Sequence, residues 1–197
     1  MIFDYGVGNI FSLRIALEEA GFDVTVGSSP LHLRNTDIIV LPGVGNFSAA
    51  SGKLAPLREE ILTQVKGGTP IFGICLGMQI FFHESEEGEG RGLALFQGKN
   101  IRLPSFVKVP HMGWNTLSIV RQSTLLEDIK NESCVYFVHS CYPVPTEHDI
   151  TVAETTYGVV FPSVTERRNV YGTQFHPEKS SESGLKILTN LRKATQR

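Results

Sequence analysis

The sequence predicts an α/β fold of three layers: a doubly wound, mostly parallel (mixed) sheet with helices on both faces. Three observations predict it. Short apolar runs alternate with segments of helical period through the first half of the chain, the pattern of βαβ units. One of those runs, Ile38-Ile39-Val40-Leu41, is apolar at every position, as a strand covered on both faces must be. The second half breaks into short strand-like runs separated by turns, which adds antiparallel hairpins to the parallel core.

The first strand is expected over 2–5, followed by the turn Gly6-Val7-Gly8-Asn9. A helix comes next, in which Leu13, Ala16, Leu17 and Ala20 carry the helical period and Gly21 ends it. Strands are expected over 23–26 and 37–41, and then a flexible loop, Pro42-Gly43-Val44-Gly45-Asn46. A helix over 56–66 is closed by Gly67-Gly68 and leads into a strand over 71–74. Beyond it, strands are expected over 101–103, 117–120, 135–139, 151–155, 159–161 and 170–175, with one weak helix over 123–129. A helix over about 182–193 closes the chain, and the polar stretch 86–92 reads as a surface loop. A chain of 197 residues holds one full hydrophobic core, so residues 1–197 are read as a single domain.

Composition narrows the function only at its edges. A formal net charge of −2 offers no basic excess for nucleic acid, and no apolar run approaches the roughly eighteen residues that span a bilayer. No basic segment followed by an apolar core marks the N-terminus, so the expected location is the cytoplasm. The three cysteines, Cys75, Cys134 and Cys141, are odd in number and lie in apolar or strand-like surroundings, unlike a secreted disulfide framework. Cys134 and Cys141 read as packing residues. Dispersed histidines and the absence of a C-x-x-C pair argue against a zinc site, and neither metal nor cofactor is expected.

Two strings carry chemistry. Gly73-Ile74-Cys75-Leu76-Gly77 lies between apolar runs, so Cys75 is expected where a buried strand turns sharply into a helix, with glycines two positions either side permitting the turn. A thiol at a helix start faces free backbone N–H groups and the positive end of the dipole, which favour the thiolate. In His176-Pro177-Glu178 the imidazole and carboxylate are two residues apart in what reads as an extended segment, on one face, and Pro177 keeps His176 out of helix. Cys, His and Glu in these roles make a triad for acyl transfer. Its oxyanion needs N–H donors: Leu76 is one candidate, and Gly43 or Val44 in the glycine loop is the other.

Together these strings, with Pro42-Gly43-Val44-Gly45, resemble the class I (triad-type) glutamine amidotransferases, whose fold is flavodoxin-like. Further strings are similar to those of the glutaminase subunits of imidazole glycerol phosphate synthases. These are Asp4 to Asn9, His111-Met112-Gly113-Trp114-Asn115, Tyr136-Phe137-Val138-His139-Ser140 and His176-Pro177-Glu178-Lys179-Ser180. The resemblance covers essentially the whole chain. It implies that Cys75 attacks the side-chain amide of glutamine, that His176 carries a proton to the departing ammonia and that Glu178 holds His176. It places Gly45, Gln79, Glu87, His139 and Ser140 around the glutamine amino acid moiety. It sets Asn9, Trp114, Tyr136 and Lys179 toward a (β/α)8-barrel cyclase that would receive the ammonia. Such a partner has a chemical reason, since ammonia released into water is protonated and no longer nucleophilic. The Gly43-Val44 peptide is then a candidate switch that holds activity low without the partner.

The chain departs from the family in two places. Cys141 stands where an aromatic residue is usual, and the first strand is shorter by several residues. Read without the resemblance, Trp114 and Tyr136 are strand-end core aromatics, Gln79 is a solvated helix position, Glu87 belongs to an acidic run, and His111 shapes a strand end. Two other functions fit less well: the amidotransferase component of a different synthase, and an interaction protein that keeps the fold without needing Cys, His and Glu together.

Overall fold

The computed structural model describes residues 1–196. The parallel strands are β1 (Ile2–Phe3), β2 (Val26–Gly27), β3 (Ile39–Leu41), β4 (Ile71–Ile74) and β12 (Val170–Thr173). To them are added the antiparallel strands β11 (Val159–Arg167), β10 (Thr151–Tyr157) and β7 (Ser118–Ile119), giving eight strands in the order β2, β1, β3, β4, β12, β11, β10, β7. Between β4 and β12 the register is Ile71 to Val170 through Ile74 to Thr173. Two antiparallel ribbons lie outside this sheet: β5 (Gly98–Arg102) with β9 (Cys141–Pro145), and β6 (His111–Thr116) with β8 (Cys134–His139).

Alternation along the strands splits the core into two layers. Val40, Phe72 and Ile74 face one apolar cluster with Leu13, Leu17 and Leu188, while Ile39, Leu41 and Ile71 face another with Phe47, Ile61 and Phe81. The helices that cover these faces include α1 (Ile10–Glu19), the short α2 (Pro30–Leu33), α3 (Phe47–Leu54), α4 (Arg58–Lys66) and α6 (Ser181–Thr195). This is the doubly wound three-layer arrangement that the alternating pattern predicts.

Several elements differ from expectation. Residues 47–54 form α3, a helix that its Ser48, Ser51 and Gly52 conceal, although Asn46 caps it by accepting hydrogen bonds from the N–H groups of Ser48 and Ala49. β6 and β9 are strands hidden by Gly113 and by Pro143 and Pro145; β9 tolerates its prolines because it belongs to a two-stranded ribbon. The expected helix over 123–129 is a single 3-10 turn, Thr124–Leu126, with Ser123 as its cap. The second strand is shifted to Val26–Gly27. Cys134 is exposed, contrary to its reading as packing, because it starts β8 at the outer end of the ribbon. Among the described residues no helix is long and apolar enough to cross a membrane.

Candidate active site

β4 ends at Ile74, and Cys75 follows in a left-handed conformation, φ 53°, before the short helix α5 (Leu76–Gln79). A positive φ on a residue with a Cβ is strained by about 1–3 kcal/mol and persists only where the surroundings fix it. Here the Cys75 N–H donates to the Thr173 carbonyl of the adjacent strand at 2.7 Å. Both flanking glycines are required. A Cβ at Gly73 would lie 2.5 Å from the Gly77 carbonyl oxygen, and one at Gly77 would overlap the Leu41 carbonyl. The turn therefore closes backbone against backbone, with the thiol at its apex.

Because β12 runs parallel beside β4, its C-terminal continuation passes the same apex. Gln174 and His176 follow directly, and His176 Nδ1 is 2.8 Å from Glu178 Oε1, both side chains being buried. The sequence places this pair on an extended segment; instead Pro177–Lys179 is a 3-10 turn, and only His176 itself remains extended. Proline at the first position of the turn produces this geometry. Among the described residues no hydrogen-bond partner is found for His176 Nε2 or Glu178 Oε2. Burial alone would lower the imidazole pKa, but the neighbouring Cys75 and the Glu178 carboxylate outweigh it and raise the value to about 10.

The loop after β3 lies beside the elbow. A Cβ on Gly43 would come within 2.5 Å of the Gly77 nitrogen and 2.6 Å of Leu76 Cβ, so the loop backbone rests on the first turn of α5. The Leu76 N–H, at the start of that helix, is beyond the reach of any intrahelical carbonyl. Val44 is exposed, and Gly45, at φ 123°, has open space around it. At its base the loop is held: the buried Tyr5 hydroxyl donates to the Pro42 carbonyl at 2.5 Å. Burial, and then the nearby Cys75, push the Tyr5 pKa upward.

The sites proposed for glutamine divide. Gln79 is buried, not solvated, and its Nε2 donates to the Cys141 carbonyl at 2.7 Å and to Gln174 Oε1 at 3.1 Å. His139 is also committed: Nδ1 donates to the Cys141 carbonyl at 2.9 Å, and Nε2 lies 2.9 Å from His111 Nδ1. Since a carbonyl only accepts, His139 carries its proton on Nδ1 and accepts at Nε2 from His111. His111 in turn accepts at Nε2 from the Asn115 amide, 3.3 Å away. Either ring must give up one of these bonds to contact a ligand. Glu87 is half-buried, and its Oε2 accepts the Phe47 N–H at 2.8 Å, at the start of α3. Ser140 is half-buried at the corner between β8 and β9, its carbonyl accepting from Leu103.

His111 is thus not a strand-end filler. It stacks between Tyr157 at 3.9 Å and Phe137 at 4.8 Å, and burial lowers its pKa to about 4; burial first, and then the charge on its neighbours against a bond to Cys141, lowers that of His139 to about 3. We expect His111→Leu to cost about 2 kcal/mol in urea unfolding, because His139 Nε2 is left buried without a donor. A neutral histidine contributes stability that is complete above pH 6.5 and lost as pH falls through about 4. The variant should therefore lose less stability than the parent across that window, and an unchanged acid limb would contradict the assignment.

On the outer side, Trp114 is 56% exposed and meets Tyr136 edge-on at 5.9 Å, with Lys179 Nζ 5.8 Å from the Tyr136 ring centre. These aromatics are not core. The Tyr136 carbonyl accepts the His176 N–H at 2.9 Å, so this patch adjoins the triad through one backbone bond. Asn9 is exposed at the cap of α1, accepting from the Ser12 N–H. Its turn packs on the glycine loop, since a Cβ on Gly8 would lie 2.9 Å from Pro42 Cβ.

Gln174 escapes the sequence analysis. Its side chain is fully buried, and Nε2 points at Cys75 Sγ from 3.6 Å. The only signal is its spacing of two from His176. Among the described residues no group of three or more His, Cys, Asp or Glu side chains is placed to hold a metal ion.

Residues 1–193 match the family Glutamine amidotransferase class-I. The chain belongs to the class I glutamine amidotransferases. This amidotransferase is 49% identical to the imidazole glycerol phosphate synthase subunit HisH of Methanothermobacter thermautotrophicus, over 96% of each chain. It is 45% identical to the subunit of the same name from Pyrococcus furiosus, over 98% of this chain and 97% of that one. Two solved structures share the amidotransferase fold at low identity. PurLQS from Thermotoga maritima superposes with a TM-score of 0.75 at 21% identity, covering 98% of this chain and 96% of that one. The glutaminase domain of Trypanosoma brucei CTPS gives 0.69 at 16%, covering 99% and 92%.

Proposed function

We propose that the chain is the glutaminase subunit of an imidazole glycerol phosphate synthase, with Cys75, His176 and Glu178 as its triad. One observation carries the chemistry: a buried His176–Glu178 pair at 2.8 Å whose Nε2 is unengaged, beside a cysteine held at a strained elbow. Cys75 Sγ attacks the side-chain carbonyl carbon of glutamine, and the oxygen becomes an oxyanion that takes N–H donors from Leu76 and from Gly43 or Val44. His176 takes the proton of Cys75 and passes it to the amide nitrogen, the C–N bond breaks, and ammonia leaves a thioester on Cys75. Water, giving its proton to His176, attacks the thioester to yield glutamate and restore the thiol. Glu178 holds the imidazole in orientation throughout.

The glutamine moiety sits among Gly45, Gln79, Glu87, His139 and Ser140, where the half-buried Glu87 carboxylate is available for an ammonium group. Trp114, Tyr136, Lys179 and Asn9 form the face toward a barrel cyclase. An exposed tryptophan and an edge-packed tyrosine are residue types that dominate buried interface centres. Full-length similarity to the named synthase subunits supports this partner, and the cytoplasm is the corresponding location. The test is glutamine hydrolysis by the chain alone and with the barrel cyclase and its nucleotide ligand. Turnover should be low alone and rise in the complex. Equal turnover in both would remove the partner-controlled switch at Gly43-Val44.

A further inference from the structure

We propose that Gln174 is a catalytic residue that donates its amide N–H to the Cys75 sulfur and stabilises it as the thiolate. The inference deepens the proposed function and rests on Cys75 being the nucleophile.

The direction of the Gln174 amide follows from its neighbours. The Cys141 carbonyl can only accept, and it lies 2.7 Å from the Gln79 amide, so the atom of Gln79 facing it is the nitrogen. That same nitrogen faces Gln174 at 3.1 Å, which must therefore present its oxygen there. The remaining end of Gln174, its NH2, is directed at Cys75 Sγ, 3.6 Å away. A flip of Gln174 would set two NH2 groups against each other and a carbonyl oxygen against the sulfur. The neutral imidazole of His139 fixes the Cys141 carbonyl from a second side at 2.9 Å, and His111 and Asn115 fix that imidazole in turn. The donor aimed at the nucleophile is thus held by a run of hydrogen bonds reaching back into β6.

Besides His176, two groups compete for the sulfur. As a thiol, Cys75 donates to the Val138 carbonyl at 3.5 Å, a bond that disappears on ionisation. As a thiolate it only accepts, and an N–H bond to an anion is roughly twice as strong as one to a neutral group. Gln174 therefore favours the ionised form that attacks glutamine, and Val138 the thiol.

The experiment uses the full chain in complex with its cyclase and the variant Gln174→Leu. It measures kcat and KM for glutamine, the rate at which iodoacetamide alkylates Cys75 at neutral pH, and the ultraviolet absorbance of the thiolate. Alkylation should slow about tenfold, the thiolate absorbance should fall, and kcat should fall about tenfold with KM within about twofold of the parent, because the bond acts on the reacting sulfur. Should Gln174→Leu not fold, Gln174→Met keeps the length of the side chain, removes the donor and reads the same losses. Alkylation and kcat within about twofold of the parent in a folded variant would overturn the proposal. Cys75→Ala runs beside it: retained glutaminase activity there would overturn the reading of Cys75 itself, whatever Gln174 does.

Discussion

Cys75→Ala should abolish glutamine-dependent synthesis by the complex while leaving synthesis from added ammonia intact. The expected loss of glutaminase turnover is about 10,000-fold or more, since no other group supplies the covalent step that splits amide cleavage into two easier ones. Alanine keeps the Cβ of the elbow and removes only the sulfur, so the backbone bond from residue 75 to Thr173 survives. Ammonia supplied in solution bypasses the thioester, and the cyclase then needs the chain only as a bound partner. Loss of both activities would show that the division of labour between the two proteins has been misassigned.

Glu178→Gln should lower glutaminase kcat by about 1,000- to 10,000-fold with little change in KM. The carboxylate accepts from His176 Nδ1 at 2.8 Å and so leaves Nε2 as the nitrogen that takes up and returns the proton; an amide can offer its NH2 instead and stabilise the wrong tautomer. The same variant has a signature in stability. His176 is raised from 6.5 to about 10, so its contribution is complete below pH 6.5 and is lost as pH rises through about 10. Without the carboxylate that helps raise it, this alkaline loss should shrink. Urea midpoints recorded from neutral pH to about 10 in parent and variant measure the difference, and parallel curves would contradict the coupling. The buried His111–His139 pair has the opposite sign, so the two histidine groups tilt the stability curve from its two ends.

The sequence is most legible where chemistry and backbone constraint coincide. Cys75 between two glycines leaves little choice of conformation, and Ile38 to Leu41 leaves little choice of layer; the elbow turn and the central strand are both found. Elements whose residues carry weak local preference are not legible. α3 is rich in Ser, Ala and Gly and is held by packing, by the local Asn46 cap and by Glu87, which only the folded chain brings to its start. β6 and β9 carry glycine and proline and exist because each has one partner strand distant in sequence. The site divides in the same way. Cys75, His176 and Glu178 announce themselves by reactivity, whereas Gln174, Tyr5 and His111 act through hydrogen bonds to residues roughly 30 to 100 positions away or through stacked rings. No periodicity encodes such contacts.

The left-handed backbone at Cys75 sets folding and chemistry against each other at one residue. Glycine would occupy that conformation without strain, but it would leave empty the place of a side chain buried in the core. Strain in the backbone and burial of the side chain therefore oppose each other at the residue proposed as the nucleophile.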